Sequence, residues 1–369
     1  MIYIHIPFCH RKCTYCAFYS KPVGTLKGES LISAYTTALL SEMDSRKEEQ
    51  QHPIHTIYFG GGTPSIIPIG ELTRIVEALH RCFDLSQLEE MTIEANPEDL
   101  TPDYLAALRG LGFNRLSIGI QSVDDEVLRF LNRRHTAQQA YDAIDNAHDA
   151  GFSNISIDYI YGIKAIETIV PVIPIATIRH VSHVSAYALT VEPGTALSVL
   201  VEQGRVTLPD DDEVVRQYHA LHDGLAAAGF RQYEVSNYAR PDYESKHNSR
   251  YWDRTPYLGL GAAAHSFDGM HRRWNVADVE RYIASLDYES ETLTESDAFN
   301  EQLMTSLRTT RGLSQAAIPE VQRERLHRLM QPYIDCGWIV VGTDSGELRY
   351  QPTAEGLLHA DGIASALFL

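Results

Sequence analysis

The sequence predicts an α/β fold: an open, TIM-like partial (β/α)6 barrel followed by a small C-terminal module of helices and a winged-helix-like hairpin. Three observations carry this. Six short apolar, β-branched segments alternate with helical patterns through about residue 190, the signature of repeated βαβ units around a parallel sheet. Glycine or polar residues stand at the ends of successive segments, the edge on which parallel α/β sheets hold ligands. Three of the chain's five cysteines fall within eight residues, directly after the first segment. The expected organisation is a barrel over residues 1–228, a linking region over 229–294 and a C-terminal domain over 295–369.

The predicted strands are Tyr3 to Ile6, Thr56 to Phe59, Met91 to Glu94, Arg115 to Ile120, Ile155 to Ile160 and His183 to Leu189. The intervening helices are Ser30 to Arg46, Gly70 to Cys82, Thr101 to Leu111 with Pro102 in its first turn, and Thr136 to Ala150 with Gly151 as its stop. Two prolines in the apolar stretch after Lys164, Pro171 and Pro174, argue against a regular helix there. Asp210 to Ala228 reads as a helix with an acidic start and Gly229 as its stop.

Cys9, Cys13 and Cys16 follow the first strand with three and two residues between them, so one tight loop can turn all three sulfurs to one centre. Thiolates are the usual ligands of iron-sulfur clusters, and three of them on a four-iron cluster leave one iron open to a ligand. A zinc site would need a fourth ligand, for which His5 or His10 could serve. Nothing ahead of the strand reads as a secretory signal, so reduced thiols in the cytoplasm are expected rather than a disulfide. Cys82 and Cys336 stand apart and read as ordinary buried thiols.

At the other strand ends lie Gly60-Gly61-Gly62-Thr63-Pro64, Glu94 before Ala95-Asn96-Pro97, Gly119-Ile120-Gln121-Ser122, and Asp158 within the fifth segment. Glycines let another molecule approach the backbone closely, although a turn would use them equally well. Carboxylates and an amide can bond hydroxyls, and Arg133 offers a planar fork for a carboxylate or is simply a solvated helix charge.

Composition narrows the partners. A formal net charge of −18 repels phosphate backbones and argues against nucleic acid. No apolar run reaches membrane-spanning length, so an integral membrane protein is not expected.

The CxxxCxxC loop resembles the signature of the radical S-adenosylmethionine (SAM) enzymes. Its lead-in Tyr3-Ile4-His5-Ile6-Pro7-Phe8-Cys9 resembles the branch that holds the oxygen-independent coproporphyrinogen III oxidases and the HemW-type haem chaperones. The oxidase pattern continues with a cysteine where Phe18 stands and carries a longer leading segment, which favours the chaperone side. The resemblance implies a 4Fe-4S cluster on Cys9, Cys13 and Cys16, with SAM chelating the open iron. It implies Tyr3 and Tyr15 beside the cofactor, Gly61, Gly62 and Thr63 at its amino-acid end, and Glu94, Gln121, Arg133 and Asp158 as polar contacts. One electron from the cluster would then cleave the sulfonium to methionine and a 5'-deoxyadenosyl radical, with an electron donor as partner. After the fifth strand the chain departs from the family pattern at Lys164 to Pro174.

His247-Asn248 with Tyr251-Trp252 matches the HNxxYW motif of the chaperones, which makes His247 the candidate haem ligand and His265 a second. A neutral imidazole beside aromatic rings suits haem, yet a histidine near Tyr and Trp is as often a hydrogen-bonded packing residue. From Glu295 the tail reads as helices broken at Arg311-Gly312-Leu313, with a hairpin around Asp344 to Glu347. Two functions of different class remain: a haem chaperone that passes haem to acceptor apoproteins, and a coproporphyrinogen oxidase. A homodimer is a family expectation.

Overall fold

The structure is a computed structural model that describes residues 1–163, 179–344 and 346–369. The Lys164 to Pro174 departure, with its two prolines, lies outside the described residues, as does Ser345 of the predicted hairpin.

Six parallel strands form the core of the sheet in chain order: β1 (Ile2–Ile6), β2 (Thr56–Gly61), β3 (Glu90–Ala95), β4 (Arg115–Gln121), β5 (Asn154–Tyr161) and β6 (His183–Ala188). Each predicted strand is found within one or two residues. The edges come from later chain. β8 (Asn237–Ala239) adds antiparallel to β6, the short β7 (Arg231–Gln232) pairs antiparallel with the outer side of β8, and β9 (Leu258–Leu260) pairs in parallel with the outer side of β1. The Gly259-Leu260-Gly261 stretch carries no strand pattern of its own. Its glycines are needed because β9 packs tightly: a Cβ on Gly259 would lie 1.8 Å from the carbonyl oxygen of His265.

Every residue of β4 is buried, because both faces of the sheet are covered. Alternate residues divide the two environments. Outward go Ile2, Ile4 and Ile6, Ile57 and Phe59, Ile93, Leu116 and Ile118, Ile155 and Ile157, all in one apolar core beneath the helices. Each such side chain stabilises the fold by about 1.5–3 kcal/mol on burial. Those helices are α1 (Thr25–Arg46), α2 (Ile69–Cys82), α3 (Pro102–Gly110) and α5 (Ala137–Asp149), while α4 (Asp125–Phe130) packs its Val127 with Leu131, Ile160 and Ile163 in a separate cluster. Their starts are local chemistry. Thr101 accepts from the Tyr104 N–H, and Thr136 with Gln139 closes a capping box.

Inward go Tyr3, Tyr58, Thr92, Glu94, Arg115, Ser117, Asp158 and His183, so the barrel lumen is polar. That placement sets the site: carboxylates and hydroxyls below, the loops of the carboxyl edge above.

The tail forms α6 (Glu295–Leu307), β10 (Leu313–Ser314), α7 (Glu320–Asp335) and a hairpin of β11 (Ile339–Asp344) and β12 (Glu347–Pro352), then two short helices. The three strands pair in the order β10-β12-β11, the winged-helix-like arrangement expected. Phe299, Leu303, Leu326, Met330 and Ile363 give it a core of its own. It docks on the chain after β7 through Val235 N–H to the Arg308 carbonyl at 3.0 Å and Thr310 N–H to the Tyr233 carbonyl at 3.0 Å. Neither isolated cysteine is buried: Cys82 is half-buried on the last turn of α2, and Cys336 is exposed where α7 ends. Cys82 packs against the edge of the main core, whereas Cys336 faces solvent.

Candidate functional site

The cysteine loop leaves β1 and folds over the carboxyl edge of the sheet. It is pinned from two sides. Thr14 donates its N–H to the Leu131 carbonyl at 3.3 Å and its hydroxyl to the Phe130 carbonyl at 3.1 Å, and Leu197 donates to the Thr14 carbonyl at 2.8 Å. Asn132, in the left-handed region at φ 59°, reverses the chain after α4 and bonds the Lys12 carbonyl at 2.9 Å. That reversal aims Arg133 at the loop.

Cys9, Cys13 and Cys16 line one cavity of about 690 Å³ together with Tyr15, Gly61, Gly62, Thr63, Glu94, Gln121, Arg133 and Asp158. Burial pushes the Cys9 and Cys16 thiols up. The Thr63 hydroxyl lies 3.4 Å from the Cys9 sulfur, and Arg133 Nη1 lies 3.3 Å from the Cys13 sulfur. Arg133 Nη2 donates to Asn96 Oδ1 and to the Gly119 carbonyl, each at 2.6 Å, while its buried Nε has no partner among the described residues. An orphaned donor beside three thiols is what an anionic cluster or a carboxylate ligand would satisfy. Among the described residues no three His, Cys, Asp or Glu side chains stand close enough to share a single ion. A four-iron cluster takes its three thiolates on three different irons, so the residues present suit it. Of the histidines considered for zinc, His10 lines the cavity but His5 does not; His5 is bonded to the Tyr3 hydroxyl at 3.0 Å and the Tyr19 carbonyl at 3.3 Å.

The glycine run has a reason that the sequence did not reveal. A Cβ on Gly61 would meet the His5 ring at 2.7 Å, and one on Gly62 the Phe8 carbonyl at 2.5 Å. The run is bare because it packs against β1 and the chain that enters the cysteine loop, whatever ligand lies above. Its N–H groups are all engaged: Gly61 with Glu94 Oε2 at 3.1 Å, Gly62 with the Ile6 carbonyl at 2.8 Å and Thr63 with the Phe8 carbonyl at 2.7 Å. What remains for a ligand is carbonyl oxygen, which suits an ammonium group.

Glu94 and Asp158 face the cavity from below. The Tyr58 hydroxyl donates to Glu94 Oε1 at 2.8 Å, and the Ser117 hydroxyl to Asp158 Oδ1 at 3.4 Å. Walled off from bulk water, and then repelled by Asp158, Glu94 is pushed up to about 7. Burial likewise raises Asp158 to about 6, against the pull of Ser185, Arg115 and Ser117. The pair is therefore poised to change charge near neutrality and to favour a cation. Gln121 closes the edge in a left-handed conformation, φ 60°, where the register of β4 on β5 shifts. Such strain in a non-glycine residue collects at functional sites.

Two expected residues stand elsewhere. Tyr3 lies one layer down, stacked at 6.2 Å on Tyr58 and outside the cavity lining. His247, on the short helix Lys246–Trp252, is fully buried at the amino ends of β2 and β3. Its Nδ1 bonds Thr56 Oγ1 at 3.0 Å, its Nε2 the Tyr251 hydroxyl at 3.1 Å, and its N–H donates to Glu90 Oε1 at 2.9 Å. Burial lowers its pKa to about 3, so it is neutral. His265 is exposed and stacks on Trp274 at 5.8 Å. Sequence reading missed Asn96, Ser117 and Tyr187, all of which line the cavity. Ser117 shares the face of Gly119, a period-two signal that could have found it.

The chain matches the radical SAM superfamily model over residues 3–167. It is 36% identical over 338 residues to the haem chaperone HemW of Mycobacterium tuberculosis, covering 89% of this chain and 86% of that one. It is 34% identical over 333 residues to HemW of Bacillus subtilis, covering 86% of each. Among solved structures it is similar to the coproporphyrinogen III oxidase HemN of Escherichia coli, with a TM-score of 0.79 over 100% of this chain and 89% of that one. At 23% identity this likeness speaks for the fold.

Proposed function

The chain belongs to the family of HemW haem chaperones within the radical SAM superfamily, and from that premise we propose that it binds a 4Fe-4S cluster, SAM and haem and delivers haem to acceptor apoproteins. The observation that carries the cofactor part is the convergence of Cys9, Cys13 and Cys16 on one cavity with the glycine run, Arg133 and two carboxylates. A bound cluster would supply an electron and an open iron for the amino-acid end of SAM. The chain's own residues do the rest. Carbonyls of Gly61 and Gly62 receive the ammonium, Arg133 balances negative charge at the loop, and Glu94 and Asp158 take ribose hydroxyls or the sulfonium's positive charge. Tyr15 and Gln121 wall the cavity on either side, with Tyr3 supporting the floor.

The haem part rests on the relatives. His247 could meet iron only by giving up Thr56 and Tyr251, whereas His265 is open and already carries an aromatic neighbour. Accessibility therefore favours His265 as the first ligand to test. No described helix is long and apolar enough to cross a membrane.

The test uses anaerobically reconstituted protein, in which iron, SAM binding, haem binding and coproporphyrinogen III conversion are measured together. Stable haem binding without conversion supports the proposal. Turnover of coproporphyrinogen without stoichiometric haem would replace it with the oxidase reading. Loss of haem in His265→Ala but not in His247→Ala would assign the ligand.

A further inference from the structure

Below the cavity, inside the barrel, Arg115 is 1% exposed and is the largest of the fully buried side chains. Its Nε and Nη1 have no hydrogen-bond partner among the described residues. An uncompensated guanidinium is costly to bury, so its charge calls for a reason. The register supplies the surroundings. Arg115 pairs with Thr92 on β3 and Asn154 on β5, one pleat below Ser117, which itself pairs with Glu94 and bonds Asp158. Arg115 therefore lies directly beneath the two carboxylates of the cavity.

We infer that Arg115 is a positioning residue whose fixed charge favours the ionised forms of Glu94 and Asp158 beneath a cationic ligand in the cavity above; this rests on the proposed reading of that cavity as a SAM site. Arg133 adds a weaker pull on Asp158, and the other titratable groups described around the lumen carry no positive charge. From β1, β6 and the helix Lys246–Trp252, burial holds His5, His183 and His247 neutral. From β1, β2, β6 and that helix come Tyr3, Tyr58, Tyr187 and Tyr251, whose hydroxyls burial pushes further up. Glu90, at the floor, accepts the backbone N–H groups of Lys246 and His247. The other cation, Arg133, is turned to the loop, on Cys13, Asn96 and the Gly119 carbonyl. The field of Arg115 lowers both acids while burial raises them, so removing it shifts both further toward their protonated forms. SAM carries a sulfonium, an ammonium and one carboxylate, so an ionised pair favours it and a protonated pair does not.

The experiment compares wild type with Arg115→Met and Arg115→Lys. Carboxyl titrations are followed by infrared difference spectroscopy, assigned with Glu94→Gln and Asp158→Asn, and SAM affinity is measured across pH on cluster-loaded protein. Arg115→Met is expected to raise the carboxyl midpoints by about one to two pH units, the field of one charge at short range in a partly screened interior. SAM binding near neutral pH then weakens by about 10-fold and recovers in alkali, while Arg115→Lys stays close to wild type. Unmoved carboxyl midpoints, or an affinity loss equal at every pH, would overturn the inference. The titration needs no SAM, so wild type that fails to bind SAM refutes the site reading separately. Should Arg115→Met not fold, Arg115→Gln against Arg115→Lys makes the same comparison, and equal midpoints in those two overturn it.

Discussion

The two ends of the barrel lumen differ in what their polar groups are doing. At the carboxyl edge, Arg133 Nε is unpartnered among the described residues, two carboxylates that titrate near neutrality line the cavity and three thiols open on it. At the amino end, His247 uses both ring nitrogens and its N–H, and Glu90 accepts two backbone N–H groups. Both ends present His, Glu and Tyr in conspicuous motifs, yet the upper end leaves bonding capacity for a ligand while the lower end is complete. A motif names the chemistry available; only the hydrogen-bond inventory says whether it is free.

The largest expected effect breaks the upper end outright. Cys13→Ala should abolish iron incorporation after reconstitution, read by iron content and visible absorbance, while the fold survives by circular dichroism. Retained cluster would mean that the loop is not its seat. At the lower end, His247→Ala should lower stability by about 3 kcal/mol, from a cavity plus the unpaired Thr56 and Tyr251 hydroxyls. It should leave iron and SAM binding intact. Unchanged denaturation midpoints with lost haem would reverse the contrast drawn here.

A subtler effect follows from Glu94, whose folded pKa, about 7, lies above its unfolded value. The folded state then binds more protons between those values, so ligand-free stability falls as pH rises from about 4.5 to 7, by at most about 3 kcal/mol with cavity water screening part of it. Glu94→Gln should flatten that slope in urea melts taken across pH, and a slope unchanged in the variant would place the titration elsewhere. The smallest effect belongs to the rim of the lower end. Lys246 pairs with Glu89 at 2.5 Å on side chains that are half exposed, so Lys246→Ala should cost about 1 kcal/mol or less. A loss as large as that of His247→Ala would show that the floor is held by charge rather than by packing.

Much of the upper end was legible because strand-end positions are local. Cys9, Cys13 and Cys16, the glycine run, Glu94 and Asp158 follow or sit on strands whose apolar periodicity is plain, and parallel strands put those ends on one edge. Arg133 was ambiguous, since its direction depends on the left-handed turn at Asn132 and on bonds to residues more than a hundred positions away. Asn96 was missed because Asn-Pro after a strand carries no distinctive pattern, and Ser117 because its period-two place on the face of Gly119 marks a face of the strand rather than a ligand. Strand β9 was missed because three residues with a glycine at their centre show no period, and its place is decided by β1 and the chain around His265.

By itself, then, the sequence determined what depends on near neighbours: the alternation that makes six βα units, the helix caps at Thr101 and Thr136, the thiol spacing and the order of the strand ends. Tertiary structure decided what depends on which groups meet after folding. It assigned the glycines of residues 61 and 62 to contact with β1 and the chain that enters the cysteine loop, sealed His247 between Thr56 and Tyr251, and set Arg115 beneath a pair of acids. The division has one physical cause. Backbone preference and amphipathic period act over a few residues, whereas charge, burial and hydrogen-bond satisfaction are properties of a site that exists only once distant strands are side by side.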